Sequence, residues 1–264
     1  MRSATISRRQ PPGGQEPVAV RVRIRYAKRG PLRFTSHRDF ARAFERALRR
    51  AAVPVAYSQG FTPHPKISYA SAAPTGVASE AEYLELGLRS PVDPEVLVAR
   101  LDAALSPGLD VLDAVVVEPG AGGPGLADLL EVSRWRIELP GVEPDTLRHA
   151  AAAFEGADQV LVERRTKQGR RLVDARAPVV TLRVGGVPSG VDGVPCAILE
   201  CVVRQATPSV RPDDVLSGLR VVGDLEPPVP PRATRLAQGS LTAQGEIVDP
   251  LEADGGGAPT ESVG

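Results

Sequence analysis

Near its start the chain alternates between apolar residues and arginines, with Val18, Val20, Val22, Ile24 and Tyr26 set against Arg21, Arg23 and Arg25. A period of two predicts a strand with one buried and one basic face. The period then lengthens. Phe40, Phe44, Ala47, Leu48 and Ala51 fall on one helical face behind Ser36 and Asp39, which have the spacing of a capping box. Pro54 ends that helix, residues 55–58 suit a short strand, and Pro63 and Pro65 stiffen a loop before a strand at 67–70. A strand at 82–88, a helix from Asp93 and Pro94 to about Leu105, and a strand at 109–117 follow.

A second series begins beyond Pro119, where glycines and prolines up to Gly125 remove helix and strand propensity alike. Strands are predicted at 132–139, 159–165, 179–184 and 197–204, with helices at 143–154 and 212–219; prolines 227, 228, 230 and 231 obscure a closing strand at 233–236. Strand, helix, strand, strand, helix, strand is the ferredoxin-like order. The expected class is α+β, as two tandem ferredoxin-like (βαββαβ) domains at 18–118 and 132–236, the second less regular. Residues 119–131 would be an exposed linker, and 1–17 and 237–264 disordered tails. Glycines 185, 186, 190 and 193 read as a hairpin loop, lacking the context of a phosphate loop.

Charge changes this picture. The 264 residues hold 32 basic and 32 acidic side chains, yet residues 1–66 carry 15 and 3, and the remainder 17 and 29. The net values are +12 and −12, so only one end can attract a polyanion. Cys196 and Cys201 cannot make a four-thiolate zinc site or an iron–sulfur cluster, and they read as reduced thiols. Arg2, Arg8 and Arg9 are followed by Pro11, Pro12, Gly13 and Gly14 rather than an apolar run, and no stretch of 18 apolar residues occurs. A cytoplasmic protein without a membrane span is expected.

The densest chemistry lies in Phe34, Ser36, His37 and Asp39, the run from Arg46 to Arg50, Tyr57 to Phe61, and Pro63, His64, Pro65 and Lys66; Pro74, Gly76 and the run from Ser79 to Tyr83 follow. In these residues the chain resembles the radical SAM-linked (radical SAM-associated) proteins, a domain of unknown function. The likeness is concentrated in residues 20–88, with Arg38 where Leu is usual and Thr62 where Asn is usual. The extra arginine adds charge to the helix, and Thr62 removes an amide from the loop. That family occurs fused to a radical SAM enzyme or beside one. The resemblance implies a separate partner enzyme carrying the iron–sulfur cluster and S-adenosylmethionine, with no cofactor on this chain, which lacks the Cys-x-x-x-Cys-x-x-Cys motif. It supplies an association and no reaction.

The residues themselves carry the reading further. Arg38, Arg42, Arg46, Arg49 and Arg50 form a helical stripe that, with the strand arginines, is expected to make one continuous basic surface for phosphate oxygens; the bland alternatives are an acidic protein surface or solvation. His37 and His64 are candidates for metal-independent proton transfer, with ligand contact and local structure as competing roles; no third ligand supports a metal. Gln59, Phe61, His64 and Lys66 sit on a stiff loop where Phe61 offers a stacking face or a core plug, and Tyr57 is either a contact or, like Tyr69, a core residue. Glu80, Glu82 and Glu85 read as a solvated edge, Glu82 having the alternative of pairing with an arginine.

The leading expectation is an accessory protein that binds RNA, transfer RNA included, and works with a separate radical SAM enzyme in RNA modification. The alternatives are an RNA-processing enzyme, by fold-level analogy with CRISPR endoribonucleases, and a docking module without nucleic acid.

Overall fold

In the first strand, β1 (Val20–Lys28), Val20, Val22, Ile24 and Tyr26 are buried on one face. Against that face packs α1 (His37–Arg50), through Phe40, Phe44, Ala47 and Leu48. The structure is a computed structural model that describes residues 17–59, 61–117, 124–166, 169–187 and 193–252. Ser36 caps α1 by accepting from the Asp39 amide at 3.2 Å, and its hydroxyl donates to the Asp39 carboxylate at 2.6 Å. After α1 come β2 (Ile67–Ala70), β3 (Ala78–Leu88), α2 (Pro94–Ala104) and β4 (Val111–Val117). Asp93 caps α2 and Pro94 fills its first turn. The strands run β4-β1-β3 with β2 also on β3, every neighbour antiparallel.

The second half opens with β5 (Val132–Pro140) and α3 (Pro144–Gly156), then a hairpin of β6 (Leu161–Thr166) and β7 (Gly169–Asp174). It continues with β8 (Val179–Val187), β9 (Cys196–Arg204), α4 (Pro212–Gly223), β10 (Arg232–Leu241) and β11 (Ile247–Val248). Here the order is β10-β5-β9-β8, again antiparallel. Phe154, Leu147, Val215 and Leu219 from the helices cover Ile137, Leu139, Leu199 and Cys201 in a second core.

The result is a mixed α and β fold, mostly antiparallel, in which the two halves share one nine-stranded sheet, β4-β1-β3-β10-β5-β9-β8 with β2 and β11 alongside. The join is parallel and short, with Ala78 opposite Thr234 and Ser79 opposite Arg235. Among the described residues no helix is long and apolar enough to cross a membrane.

Several expectations need correction. Residues 124–131 are not an exposed connector, because Leu126 and Leu130 are buried with Tyr83 and Leu251 against the sheet face opposite α1. Residues 237–252 are not a disordered tail: β10 runs to Leu241, Gln238 is buried with its amide on the Ala81 carbonyl at 2.6 Å, and Leu251 is buried. The strand at 159–165 belongs to the separate β6-β7 hairpin rather than the main sheet. Residues 55–58 make only isolated bridges, Val55 to Leu88 and Tyr57 to Pro65. Gly185 and Gly186 lie inside β8, where Gly186 meets the Cys196 carbonyl too closely for any side chain. Residues 1–16, 60, 118–123, 190 and 253–264 lie outside the described residues.

Candidate functional site

The apolar stripe of α1 fixes where its arginines go. With Phe40, Phe44, Ala47 and Leu48 docked on the sheet, Arg38, Arg42, Arg46, Arg49 and Arg50 are all exposed on the outer side. At 1.5 Å per residue, positions 38 to 50 extend over about 18 Å. Among the described residues no carboxylate pairs with any of the five; Asp39 is engaged by Ser36. Arg49 and Arg50 also lie in the last turn, where positive charge complements the helix dipole.

The strand arginines do not extend this surface, which corrects the expected continuous basic face. Alternation places them on the side of β1 opposite α1, and each meets a carboxylate there. Arg21 and Arg23 approach Glu85 at 3.5 and 3.3 Å, and Arg23, buried, also donates to the Pro124 carbonyl at 2.9 Å. Arg25 donates to Asp249 at 2.8 Å. Burial works against the Arg25 charge, but the hydrogen bond and the negative charge of Asp249 outweigh it and raise its pKa. Arg29 sits between Glu80 and Asp110, held first by its hydrogen bond to Glu80, and its pKa is raised.

Below the start of α1 the motif loop is tied off by its own backbone. The Ser58 amide donates to the His64 carbonyl at 2.8 Å, the His64 amide to Ser58 Oγ at 3.0 Å, and the Lys66 amide to the Ala56 carbonyl at 2.8 Å. Tyr57 and Lys66 are half-buried at the base, while Gln59 and His64 are exposed. Phe61 is 95% exposed, so it plugs no core of this chain and its ring faces outward. His37 stands edge-on to Tyr69, ring centroids 4.9 Å apart, and Tyr69 in turn meets Phe40. Burial pushes the Tyr69 hydroxyl pKa up, and that oxygen has no partner among the described residues. Neither His37 nor His64 makes a side-chain hydrogen bond among those residues, and no group of three or more potential metal ligands gathers there.

The solvated-edge reading fails for Glu85, which is largely covered and paired with Arg21 and Arg23, and most of all for Glu82. Glu82 is 2% exposed, accepts from Arg235 Nη1 at 3.0 Å through Oε1, and accepts from the Ala73 amide at 3.0 Å through Oε2. Arg235 Nη1 also donates to the Ser71 carbonyl at 2.6 Å, and its guanidinium lies 4.6 Å from the Trp135 ring centroid. Lys28 Nζ reaches the Ala73 and Pro74 carbonyls at 3.3 Å. Burial lowers the pKa of both cations. These groups fix the loop between β2 and β3 against the second half. Arg235 and Trp135 carry no local motif, and only the glutamate's alternative reading anticipated the pair.

A crystal structure of an unknown protein from Galdieria sulphuraria is similar over 82% of this chain and 98% of that one, at 12% identity and a TM-score of 0.24. Ferric DtpA from Streptomyces lividans is similar over 94% of this chain and 96% of that one, at 12% identity and a TM-score of 0.22. At these scores neither bears on fold or function. No curated protein matches the chain. A family model matches residues 21–212, well beyond the motif-rich segment at 20–88, and the chain therefore belongs to the family described as uncharacterized protein conserved in bacteria (DUF2344).

Proposed function

We propose that the chain is an RNA-binding accessory protein that acts with a separate radical SAM enzyme in RNA modification. The observation that carries the RNA half is the row of five exposed arginines on α1 without a carboxylate partner among the described residues. Guanidinium groups hold phosphate oxygens bidentately, and a row about 18 Å long spans several nucleotides of backbone. Phe61 offers an exposed ring for a base, with His64 beside it in the chain. The enzyme partner rests on the resemblance of the His37, Tyr57–Phe61 and Pro63–Lys66 motifs, and transfer RNA is one substrate class within this reading.

The fold reading that accompanies it takes β4-β1-β3-β2 and β10-β5-β9-β8 as two ferredoxin-like units, the second with the β6-β7 hairpin inserted. What supports this is the same antiparallel 4-1-3-2 order in each half.

The test is purification of the tagged protein from its own cells at low salt, with sequencing of bound RNA and mass spectrometry of bound proteins. A defined RNA class recovered with a radical SAM enzyme, and lost in Arg42→Glu/Arg46→Glu, is the expected result. Recovery of the enzyme without RNA before any nuclease treatment reassigns α1 to protein docking.

A further inference from the structure

Where the two halves meet, a cleft of about 460 Å³ opens between the loop that follows β2 and the ends of β9, α4 and β10. It is remote in sequence from the α1 arginines. Three arginines line it: Arg235, buried, and Arg204 and Arg211, both exposed. Hydroxyls of Thr75 and Ser209 stand with them, and among the described residues no Asp or Glu lines the cleft. Arg204 and Arg211 have no side-chain ion pair among those residues. Arg235 is the built element. Its Nη1 is occupied by Ser71 and Glu82 and its plane packs on Trp135, but its Nε is buried without a partner and its Nη2 makes no hydrogen bond among the described residues.

A buried arginine nitrogen left without an acceptor costs free energy that an anionic ligand would recover. Behind the three arginines Glu82 adds one negative charge and Lys28 one positive, so the surroundings of the cleft stay strongly positive. A phosphate monoester carries about −1.5 to −2 at neutral pH and accepts several charge-assisted hydrogen bonds at once, so it matches this charge better than a monocarboxylate. A cleft of this size falls within the range of about 300–1,000 Å³ usual for small-molecule sites, and has room for an organic group beyond the phosphate.

We propose that this cleft binds a small phosphate monoester, with Arg204, Arg211 and Arg235 on the phosphate and Thr75 and Ser209 completing its donors. The site is independent of the α1 surface and spans both halves of the chain. Because the Thr75 side comes from the first half and the arginines from the second, an occupied cleft ties the halves together.

Inorganic phosphate and adenosine 5′-monophosphate, titrated calorimetrically into the full chain with adenosine as the uncharged control, test the assignment. Saturable binding of either phosphate probe is expected, with none for adenosine, and Arg204→Gln/Arg211→Gln should weaken it by about tenfold or more. Both residues are exposed, so the variant folds, which its unfolding midpoint checks. Arg148→Gln, at an exposed arginine of α3 outside the cleft, should leave phosphate affinity unchanged. Absence of saturable phosphate binding, equal affinity in the Arg204/Arg211 variant, or loss in the Arg148 variant overturns the proposal.

Discussion

Asp249 Oδ2 accepts from Arg25 Nη1 at 2.8 Å, across 224 positions of sequence, and from Tyr83 Oη at the same distance. One carboxylate thus holds β1 and β3 to the segment after β11, on the face where Leu251 joins Leu126 and Leu130. Asp249→Ala removes the acceptor from two partly buried donors and should lower stability by about 1–3 kcal/mol. A urea titration measures this, with Asp249→Asn recovering part of the loss because the amide oxygen still accepts.

The α1 arginines predict a salt dependence. If five guanidinium groups each displace a counterion from a single strand, the logarithm of the binding constant falls with the logarithm of salt at a slope near −3.5, about −0.7 per phosphate. Arg42→Glu/Arg46→Glu should cut both the affinity and the slope, read by fluorescence polarisation with a labelled RNA at several salt concentrations. Arg21→Gln, on the opposite side of β1, should leave the slope where it is.

Alkaline pH should destabilise the fold, and the sign follows from which state keeps its protons. Burial pushes the Cys201 thiol up to about 12, with the charge of Glu200 adding to it, and burial likewise raises the hydroxyl pKa values of Tyr26, Tyr69 and Tyr83. Above about pH 8.5 the unfolded chain releases the thiol proton while the folded chain holds it, so the contribution is fully present below that pH and is lost as pH rises toward 12. Each such group can contribute up to about 1.4 kcal/mol per pH unit. Cys201→Ala should make the decline between pH 9 and 10 shallower, measured as unfolding midpoints against pH. Thiol labelling at pH 8 should modify Cys196, which is partly exposed, well before Cys201.

At the end of α4, Gly223 lets two helices approach closely. A Cβ there would lie 2.5 Å from the Ala150 Cα on α3, a backbone contact that no rotamer change relieves. Gly223→Ala should force α3 and α4 apart and lower stability by about 1–3 kcal/mol, seen as a reduced thermal midpoint. Gly245→Ser, with nothing within 4 Å but a positive φ, should cost less.

Elements that carry their own period were readable from the sequence: β1 by its alternation, α1 by its apolar stripe, α2 by Asp93 and Pro94. The arginine row of α1 was readable for the same reason. Separation of that row from Arg21, Arg23 and Arg25 also follows from alternation, since α1 docks on Val22 and Ile24; the carboxylates of Glu85 and Asp249 that cover the far side do not. β7 was invisible because Gly169, Arg170 and Arg171 precede only two apolar residues, and its partner β6 supplies the pairing. Arg235 and Glu82 meet across 153 positions, so nothing near either residue announces the pair. The junction cleft is assembled from loop residues and strand ends of both halves, a set without periodicity.

The parallel pairing of β3 with β10 has a consequence for synthesis. Among the described residues β10 is the last long strand in the sequence, and it pairs along one edge of β5 and with the Ala78–Ser79 end of β3, whose edge further on is held by β2. Until residues 232–241 emerge, the edge of β5 and that short end of β3 stand open on a chain in which β1 to β9 are already made. Nascent chains paused before Arg232 are therefore the aggregation-prone species of this protein, and holding that edge closed is the service a chaperone would render it.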